Sequence, residues 1–170
     1  MRRAGRRQTP SPSPFSLVLN SGSVGPMVSE IDQIAHARLR RDGQRYTDNR
    51  RQLVRVLAES ADPLTIPEIL QQRADLAQSS VYRNLSILER AGVVQRIVTT
   101  DEWARFELAE DLTEHHHHLI CSGCGAVRDF TVSPRLEQSI DEALSEVADH
   151  AGFHLDHHRL DLVGLCDGCV

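Results

Sequence analysis

Four cysteines form two Cys-x-x-Cys pairs in the last third of the sequence. Cys121 and Cys124 make the first pair and Cys166 and Cys169 the second, with 41 residues between the pairs. Four thiolates complete the tetrahedral coordination of Zn²⁺ and leave no open position, so such a site is structural. The spacing predicts a four-cysteine zinc site, with redox-active thiols or disulfides as the alternative. Each pair has Gly in its third position, which we expect to adopt a positive φ.

A run of four histidines, His115 to His118, leads directly into the first cysteine pair. A single histidine is more often a solvated or buried structural ring, but four beside a cysteine pair favour metal ligation. If this segment is a strand, His115 and His117 lie on one face and His116 and His118 on the other. One short strand would then supply two separate metal sites. Further candidate ligands are Glu107, Asp111, Asp129, Glu137, His154, His157 and His158.

The cysteine pairs bracket a complete β/α unit. Residues 127–131 have the composition of a strand, and apolar positions at helical spacing over 134–151 predict a helix that ends at Gly152. Leu160, Leu162 and Leu165 predict a last strand that leads to the second pair. With the histidine strand, the order is β-β-α-β. A small sheet with an open edge and one apolar helix is expected to pair with a second copy of itself.

The first half of the sequence predicts helices followed by a hairpin. An apolar stripe from Ile31 to Leu39 ends near Gly43, Thr47 can begin a second helix, and Thr65 with Glu68 forms a capping box for a third. The fourth helix, over 78–91, carries buried positions Val81, Leu85 and Leu88. Two short strand-like runs, 93–98 and 104–108, follow it and flank the segment Thr99 to Trp103.

Helices that precede a two-stranded hairpin are typical of a winged helix-turn-helix. In that module the helix before the hairpin enters the major groove of DNA, and its polar side chains read bases or hold phosphates. Tyr82 and Arg83 are the side chains we expect to do so. The alternative is a helix of a small α+β domain with a solvated polar face.

The charge is unevenly distributed along the 170 residues. The net charge is −5, all 19 basic residues are Arg, and residues 109–170 alone carry net −9. DNA binding must therefore depend on a local basic surface, while the acidic, histidine-rich half attracts cations. Neither a membrane-spanning run nor a signal-peptide core is present, so we expect a cytoplasmic protein. Residues 1–27, rich in Ser, Pro, Gly and Arg, are expected to be disordered.

These motifs together resemble the ferric uptake regulator (Fur) family of bacterial metal-responsive repressors. The motifs are Val81-Tyr82-Arg83 in the winged helix, the string from His115 to Gly125, and the final Cys166-Asp167-Gly168-Cys169. The resemblance implies an α+β fold: a tail over 1–29, a winged helix-turn-helix domain over 30–109, and a β-β-α-β dimerisation domain over 110–170 clasped by structural Zn²⁺. It implies a homodimer that loads a regulatory metal ion and binds a palindromic double-stranded DNA operator, repressing metal-homeostasis genes.

The resemblance also implies roles for individual residues. Those that match DNA contacts are Arg45, Arg50, Ser79, Ser80, Tyr82 and Arg83. Those that match the interdomain sensing site are Glu107, His116, His118 and Asp129. Those that match a second site in the dimerisation domain are His115, His117, Glu137 and His158. Because Glu107 ends the wing, an ion shared with the histidine strand would connect the two domains and select one angle between them.

Departures from the family pattern leave the regulatory metal open between Fe²⁺ and Zn²⁺. The family often takes a further His ligand from the loop before the third helix, where this chain has Asp62; Asp62 replaces it, or the site is completed otherwise. All four cysteines belong to the zinc site, which weakly favours an iron-type sensor. Peroxide sensors use Asp where Glu107 stands, which argues against that role. Nickel-, manganese- and peroxide-responsive members remain the alternatives within the family.

Two other classes compete with the repressor. A zinc hydrolase or deaminase needs an open zinc position beside an acid or base, and neither the H-E-x-x-H string nor the H-x-E string with P-C-x-x-C occurs, so no enzyme and no small-molecule substrate are expected. A metal buffer or chaperone shares the His/Cys half but does not need Tyr82 and Arg83. Metal-dependent binding to an operator separates the buffer from the repressor.

Overall fold

The computed structural model describes residues 28–99 and 103–170, so the expected disordered tail and the tip of the hairpin lie outside the described residues. Among the described residues, every helix falls short of the length or the apolar character that crossing a bilayer requires. The elements are α1 Val28–Arg41, α2 Asp48–Glu59, β1 Leu64–Thr65, α3 Ile66–Gln72, α4 Gln78–Arg90, β2 Val94–Ile97, β3 Arg105–Leu108, a 3₁₀ turn Glu110–Leu112, β4 His117–Cys121, β5 Val127–Phe130, α5 Pro134–His150 and β6 Asp161–Gly164.

The helices of the first half begin close to where their capping residues predict. Thr65 begins α3 with a complete capping box, because its Oγ1 accepts from the backbone N–H of Glu68 and the Glu68 carboxylate accepts from the backbone N–H of Thr65 at 2.7 Å. Thr47 precedes α2 as predicted, although its side chain makes no capping bond. The apolar stripes of α1 to α4 converge on one core that includes Leu39, Leu53 and Leu85.

The predicted hairpin belongs to a three-stranded sheet with the order β1-β3-β2. Strands β2 and β3 are antiparallel, with Val94 opposite Leu108 and Ile97 opposite Arg105. Strand β1 adds one further antiparallel partner, with Leu64 opposite Phe106. It was not predicted, because two residues are too few to show a strand periodicity. Helices α2 and α4 pack beside this sheet, so the first half is a winged helix.

The second half is the predicted β-β-α-β unit. Its sheet has the order β5-β4-β6, with β4 antiparallel to β5 and parallel to β6. Helix α5 begins at a Ser133 cap, with Pro134 in the first turn, where a missing N–H costs little. It ends at His150, and Gly152 follows with φ 67° in the left-handed region, as expected of a helix stop. The predicted fold class is confirmed.

Apolar burial is concentrated in the first half. The second half contributes only Ile120 and Val127 to a small cluster with Ile97 of β2. In α5, whose apolar stripe is expected to pair with a second copy of the chain, Ala148 is the one buried residue. The apolar side chains left exposed on α5 and β6 include Leu136, Leu144, Val147, Leu162 and Val163.

Candidate metal centres and DNA-facing helix

The four cysteine sulfurs converge at one end of the second sheet. Their Sγ atoms all lie within 4.8 Å of one another, and none of the four is in a disulfide. Cys121 ends β4, while Cys166 and Cys169 follow β6, so the parallel pairing of these strands brings the two pairs together. The backbone N–H of Cys166 donates to the Cys121 sulfur at 3.3 Å. The set has the ligand number and type that tetrahedral Zn²⁺ prefers.

The role expected for the glycine in each cysteine pair is wrong. Among the described residues, positive φ values occur at Gly43, Gly92, Gly125 and Gly152, and at neither Gly123 nor Gly168. Gly123 is needed for space instead, because a Cβ there would lie 3.0 Å from the Cys169 Cβ and 3.1 Å from its sulfur. The left-handed turn follows the first pair at Gly125 rather than lying within it.

The electrostatics of the four sulfurs are those of a cation site. Backbone N–H groups, first that of Cys166, lower the pKa of Cys121 to about 6. Hydrogen bonds with Cys166 and the other thiols raise the pKa of Cys169 to about 12. One thiolate therefore forms easily, whereas the raised pKa values of Cys124 and Cys169 show that further negative charges here need a cation to offset their repulsion.

A second group, the interdomain cluster, consists of Glu107, His116, His118 and Asp129. Glu107 lies on β3 of the first half, His118 on β4, and Asp129 opposite His118 on β5. The His118 Nε2 lies 3.1 Å from Glu107 Oε1 and 3.7 Å from Asp129 Oδ1. The His116 Nε2 lies 3.4 Å from Glu107 Oε2. One ligand atom from each residue lies within 4.8 Å of the other three.

Protonation in the interdomain cluster is shifted by burial and by the contacts between its carboxylates and its histidines. Burial acts to raise the pKa of Glu107, but hydrogen bonds from His116 and His118 outweigh it and lower the pKa to about 2. The bond to Glu107 raises the pKa of His116 to about 9. Burial, and then the Glu107 charge, raise the pKa of Asp129 to about 7. Buried Asp129 Oδ1 has no hydrogen-bond partner in the part of the chain that the structure describes. Two imidazoles and two carboxylates fit a divalent cation here.

A third group, the helix–strand cluster, consists of His115, His117, Glu137 and His158, on the opposite face of the histidine strand. The Glu137 carboxylate of α5 lies about equally close to all three rings, 3.1 Å from His115 Nε2, 3.0 Å from His117 Nε2 and 3.1 Å from His158 Nε2. His117 Nε2 is hydrogen-bonded to Glu137 Oε2, whereas buried Glu137 Oε1 and His158 Nε2 have no hydrogen-bond partner among the described residues. Three imidazoles that converge on one carboxylate are a donor set suited to a divalent metal ion.

Several other candidate residues lie outside these clusters. Asp62 does not join the interdomain cluster; its carboxylate accepts from the Arg128 guanidinium and, at 3.3 Å, from the backbone N–H of Asp129. Asp111 pairs with Arg38 of α1 instead. His154 and His157 are exposed and belong to none of the three groups. The two-residue period of the histidine run thus correctly divided the histidines between two clusters. No signal in the sequence showed that Asp62, Asp111, His154 and His157 lie outside those clusters.

Helix α4 presents the polar face that was predicted to meet DNA. Tyr82 is 49% exposed and Arg83 is exposed beside it. Ser79 is exposed at the start of the helix. Ser80 is half-buried, and its Oγ accepts from the Asn84 Nδ2 at 3.1 Å. Arg45, just before α2, is exposed. These residues could approach a duplex without rearrangement.

Arg50 differs from the other predicted DNA contacts because its side chain is buried. Its Nε donates to Asn84 Oδ1 at 3.0 Å, and its Nη1 donates to the carbonyl of Arg45. A direct DNA contact by Arg50 would first break these bonds. The guanidinium instead joins α2 to Asn84 of α4 and to the backbone carbonyl of Arg45. Asn84, the residue that receives it, carried no signal in the sequence.

A winged helix joined to a β-β-α-β unit with three clusters of metal-binding side chains defines a metal-responsive DNA-binding protein. The profile of the ferric uptake regulator family matches residues 41–163. The chain belongs to this family, whose members are metal-dependent DNA-binding repressors and act as transcription regulators rather than enzymes. The predicted resemblance is confirmed.

Known relatives within the family respond to different signals. The peroxide-responsive repressor PerR of Staphylococcus epidermidis is 30% identical over 153 residues, covering 84% of this chain and 97% of that protein. The Helicobacter pylori ferric uptake regulator, whose structure shows three functional metal binding sites, is 26% identical with a TM-score of 0.66, covering 87% of this chain and 97% of that one. A zinc-bound manganese uptake regulator is 31% identical with a TM-score of 0.56, covering 80% of this chain and 98% of that one.

Proposed function

We propose that this protein is a homodimeric repressor that binds a palindromic DNA operator when a divalent metal ion, Fe²⁺ or Zn²⁺, is held by the interdomain cluster. The observation that carries the proposal is the position of Glu107. It lies on β3, the last strand of the wing, and its carboxylate contacts His116 and His118 of the histidine strand. An ion bound by these residues would hold the winged helix in one orientation relative to the dimerisation domain.

The expected domain boundaries, 30–109 and 110–170, place Glu107 at the end of the first domain and the other three ligands in the second. Ligands from both sides of a boundary bind an ion strongly only when the two sides are correctly placed. Differential affinity of this kind is what shifts a conformational equilibrium. In the metal-free protein the histidines of the cluster hold protons instead, because His116 and His118 are hydrogen-bonded to the Glu107 carboxylate.

Family regulators are DNA-binding dimeric proteins, and the exposed apolar face of α5 and β6 supports a homodimer here. Val147 and Val163 are 66% and 65% exposed. Burial of such side chains against a second copy would contribute about 1.5–3 kcal/mol each. Two copies related by a two-fold axis would present two α4 helices, one for each half-site of a palindromic DNA operator. The protein is proposed to act in the cytoplasm. Tyr82 and Arg83 are proposed to read bases, and Arg45, Ser79 and Ser80 to contact the backbone.

The cysteine cluster is proposed to hold structural Zn²⁺, and the helix–strand cluster to hold a second ion. Three clusters in this chain correspond in number to the three functional sites described for the H. pylori regulator. The choice between Fe²⁺ and Zn²⁺ at the interdomain cluster depends on its donors. Two carboxylates make it harder than an all-nitrogen or sulfur site, which favours Fe²⁺.

Metal titration of operator binding tests this proposal. Zinc-containing dimer is titrated with Fe²⁺, Zn²⁺, Mn²⁺ and Ni²⁺, and the affinity for a palindromic promoter fragment is measured after each addition. His118→Ala is expected to abolish metal-induced binding while leaving a folded dimer. The matched control is His154→Ala, an exposed histidine outside the clusters, which should behave as wild type. If no metal induces sequence-specific binding, the protein is a metal buffer or chaperone and the repressor proposal is wrong.

A further inference from the structure

A histidine that binds a metal ion uses one ring nitrogen, and a hydrogen bond to the other nitrogen fixes the orientation and tautomer of the ring. In the interdomain and helix–strand clusters, every histidine directs Nε2 toward a cluster carboxylate. These rings are His115, His116, His117, His118 and His158. The partners of the Nδ1 atoms therefore decide how firmly each ring is held.

The ring of His118 is held by Asp161, a carboxylate outside the interdomain cluster. His118 Nδ1 donates to Asp161 Oδ1 at 3.1 Å. The two residues are directly opposite in the parallel pairing of β4 with β6, so the backbone register sets this contact. The side chain of His118 is 3% exposed and that of Asp161 is 33% exposed, so the ring is buried while the carboxylate that holds it lies at the edge of the protein and also contacts Arg159.

The ring of His158 is held in the same way by Asp141. His158 Nδ1 lies 3.0 Å from Asp141 Oδ1; the His158 side chain is 8% exposed, and the Asp141 side chain, at 57%, is exposed at the surface of α5. Asp141 follows Glu137 by one turn of α5, so the same helix face supplies the central carboxylate of the cluster and the carboxylate that orients His158.

The remaining rings have weaker or different partners. His115 Nδ1 contacts Glu110, but its side chain is 36% exposed and water can compete. His116 Nδ1 bonds to a backbone carbonyl, that of Glu114, at 2.8 Å. Buried His117 Nδ1 has no partner among the described residues. Asp161 and Asp141 are thus the carboxylates that hold a buried ring, one for each cluster.

We propose that Asp161 and Asp141 are positioning residues, Asp161 for the interdomain cluster and Asp141 for the helix–strand cluster, each presenting a histidine Nε2 to its metal ion. This inference rests on the proposed function. A carboxylate that accepts from Nδ1–H keeps the lone pair on Nε2 and increases its basicity. Asp161 also lies three residues beyond His158 and five before Cys166, so β6 connects all three clusters.

The roles of Asp161 and Asp141 are tested separately by measuring the affinity for Co²⁺ in dimers that retain zinc at the cysteines. The visible absorption of bound Co²⁺ reports the binding. Glu137→Ala removes the helix–strand cluster and Glu107→Ala removes the interdomain cluster. In the Glu137→Ala protein, Asp161→Ala is expected to weaken Co²⁺ binding about 10–100-fold, and Asp141→Ala to leave it unchanged. In the Glu107→Ala protein the two effects should exchange.

Conservative variants and a spectroscopic measurement distinguish positioning from damage to the fold. Asp161→Asn and Asp141→Asn keep an acceptor oxygen and should lose less affinity than the alanine variants. In wild-type protein loaded with Zn²⁺, long-range ¹H–¹⁵N NMR should show the proton of His118 and of His158 on Nδ1. A proton on Nε2, or equal Co²⁺ affinity with and without Asp161, overturns the inference. If the Glu137→Ala protein binds no Co²⁺ at all, the proposed function fails instead.

Discussion

The two halves of this chain are stabilised by different interactions. Among the described residues, the winged helix and the 3₁₀ turn that follows it bury twenty apolar residues in one core, from Ile31 to Leu112. The β-β-α-β unit buries few, and its converging side chains are cysteines, histidines and carboxylates. The first half therefore has the apolar burial that an independent domain needs, whereas we expect the second to depend on ions and on a second copy of the chain. On that expectation, a DNA-binding half that is stable by itself is reoriented by a half whose structure depends on metal.

Zinc removal should have the largest effect, and only on the second half. Cys121→Ala is expected to release zinc and unfold the dimerisation unit, because a structural zinc site contributes about 10–16 kcal/mol. The far-UV circular dichroism signal of the winged-half helices should be retained, while sedimentation should show that the protein is a monomer. The control is Ser145→Ala on exposed α5. A zinc-free Cys121→Ala dimer of normal stability would remove the distinction between the halves.

A charge on the exposed face of α5 should dissociate the dimer without unfolding the winged half. Val147→Glu removes one apolar contact from each subunit, about 1.5–3 kcal/mol per side chain, and adds two like charges near the two-fold axis. Analytical ultracentrifugation over a concentration series measures the change. Ser145→Glu adds the same charge on the polar face of the helix and should dimerise normally. Equal dimerisation of both variants places the interface elsewhere.

A cavity in the first core should lower stability without affecting the dimer. Leu85 is 1% exposed, so Leu85→Ala is expected to reduce the free energy of unfolding of the winged half by about 2–5 kcal/mol. Urea denaturation followed by the fluorescence of Trp103, the one tryptophan in the sequence, reports this half. Leu144→Ala on α5 is the comparison and should leave that transition in place. A loss of dimer in Leu85→Ala would mean that the halves fold as one unit.

The smallest effect is expected at the contact between Asp62 and Arg128, which joins the halves without metal. Such a partly exposed ion pair contributes up to about 1 kcal/mol. Asp62→Asn should therefore weaken operator binding by metal-free protein up to about fivefold, and added salt should reduce the difference. A double-mutant cycle with Arg128→Gln isolates the pair. Additive effects of the two substitutions would show that no coupling exists.

Local signals in the sequence predicted most elements. The spacing of Val81, Leu85 and Leu88 predicted a helix over 78–91, and α4 spans Gln78–Arg90. The Thr65 and Glu68 capping box is complete in the structure. The two-residue β1 was missed because it is defined by its partner β3 rather than by its own pattern. The left-handed glycine was placed in the wrong position, since composition shows that a turn needs Gly without showing which backbone angle Gly adopts.

The residues of the three clusters were named from their types, their spacing and the family resemblance, and the structure brings each group together. The metal-binding roles themselves stay predictions. Contacts that depend on distant segments were not foreseen: the burial of Arg50 against Asn84, the pairing of Asp62 with Arg128, and the bond from His118 to Asp161. Each joins residues at least 34 positions apart on different elements, and no local period encodes such a pair.

By itself, the amino-acid sequence determined which residues could ligate metal and how the histidine run divides between two faces, because these properties follow from side-chain chemistry and the two-residue period of a strand. Only the tertiary structure decided which carboxylates reach those histidines. Strand pairing across 43 positions brings Asp161 to His118, and the side chain of Glu107, on a strand of the other sheet, reaches the same ring. The reason is physical: ligand geometry depends on separations of a few ångströms, which are fixed when distant segments of the chain pack together.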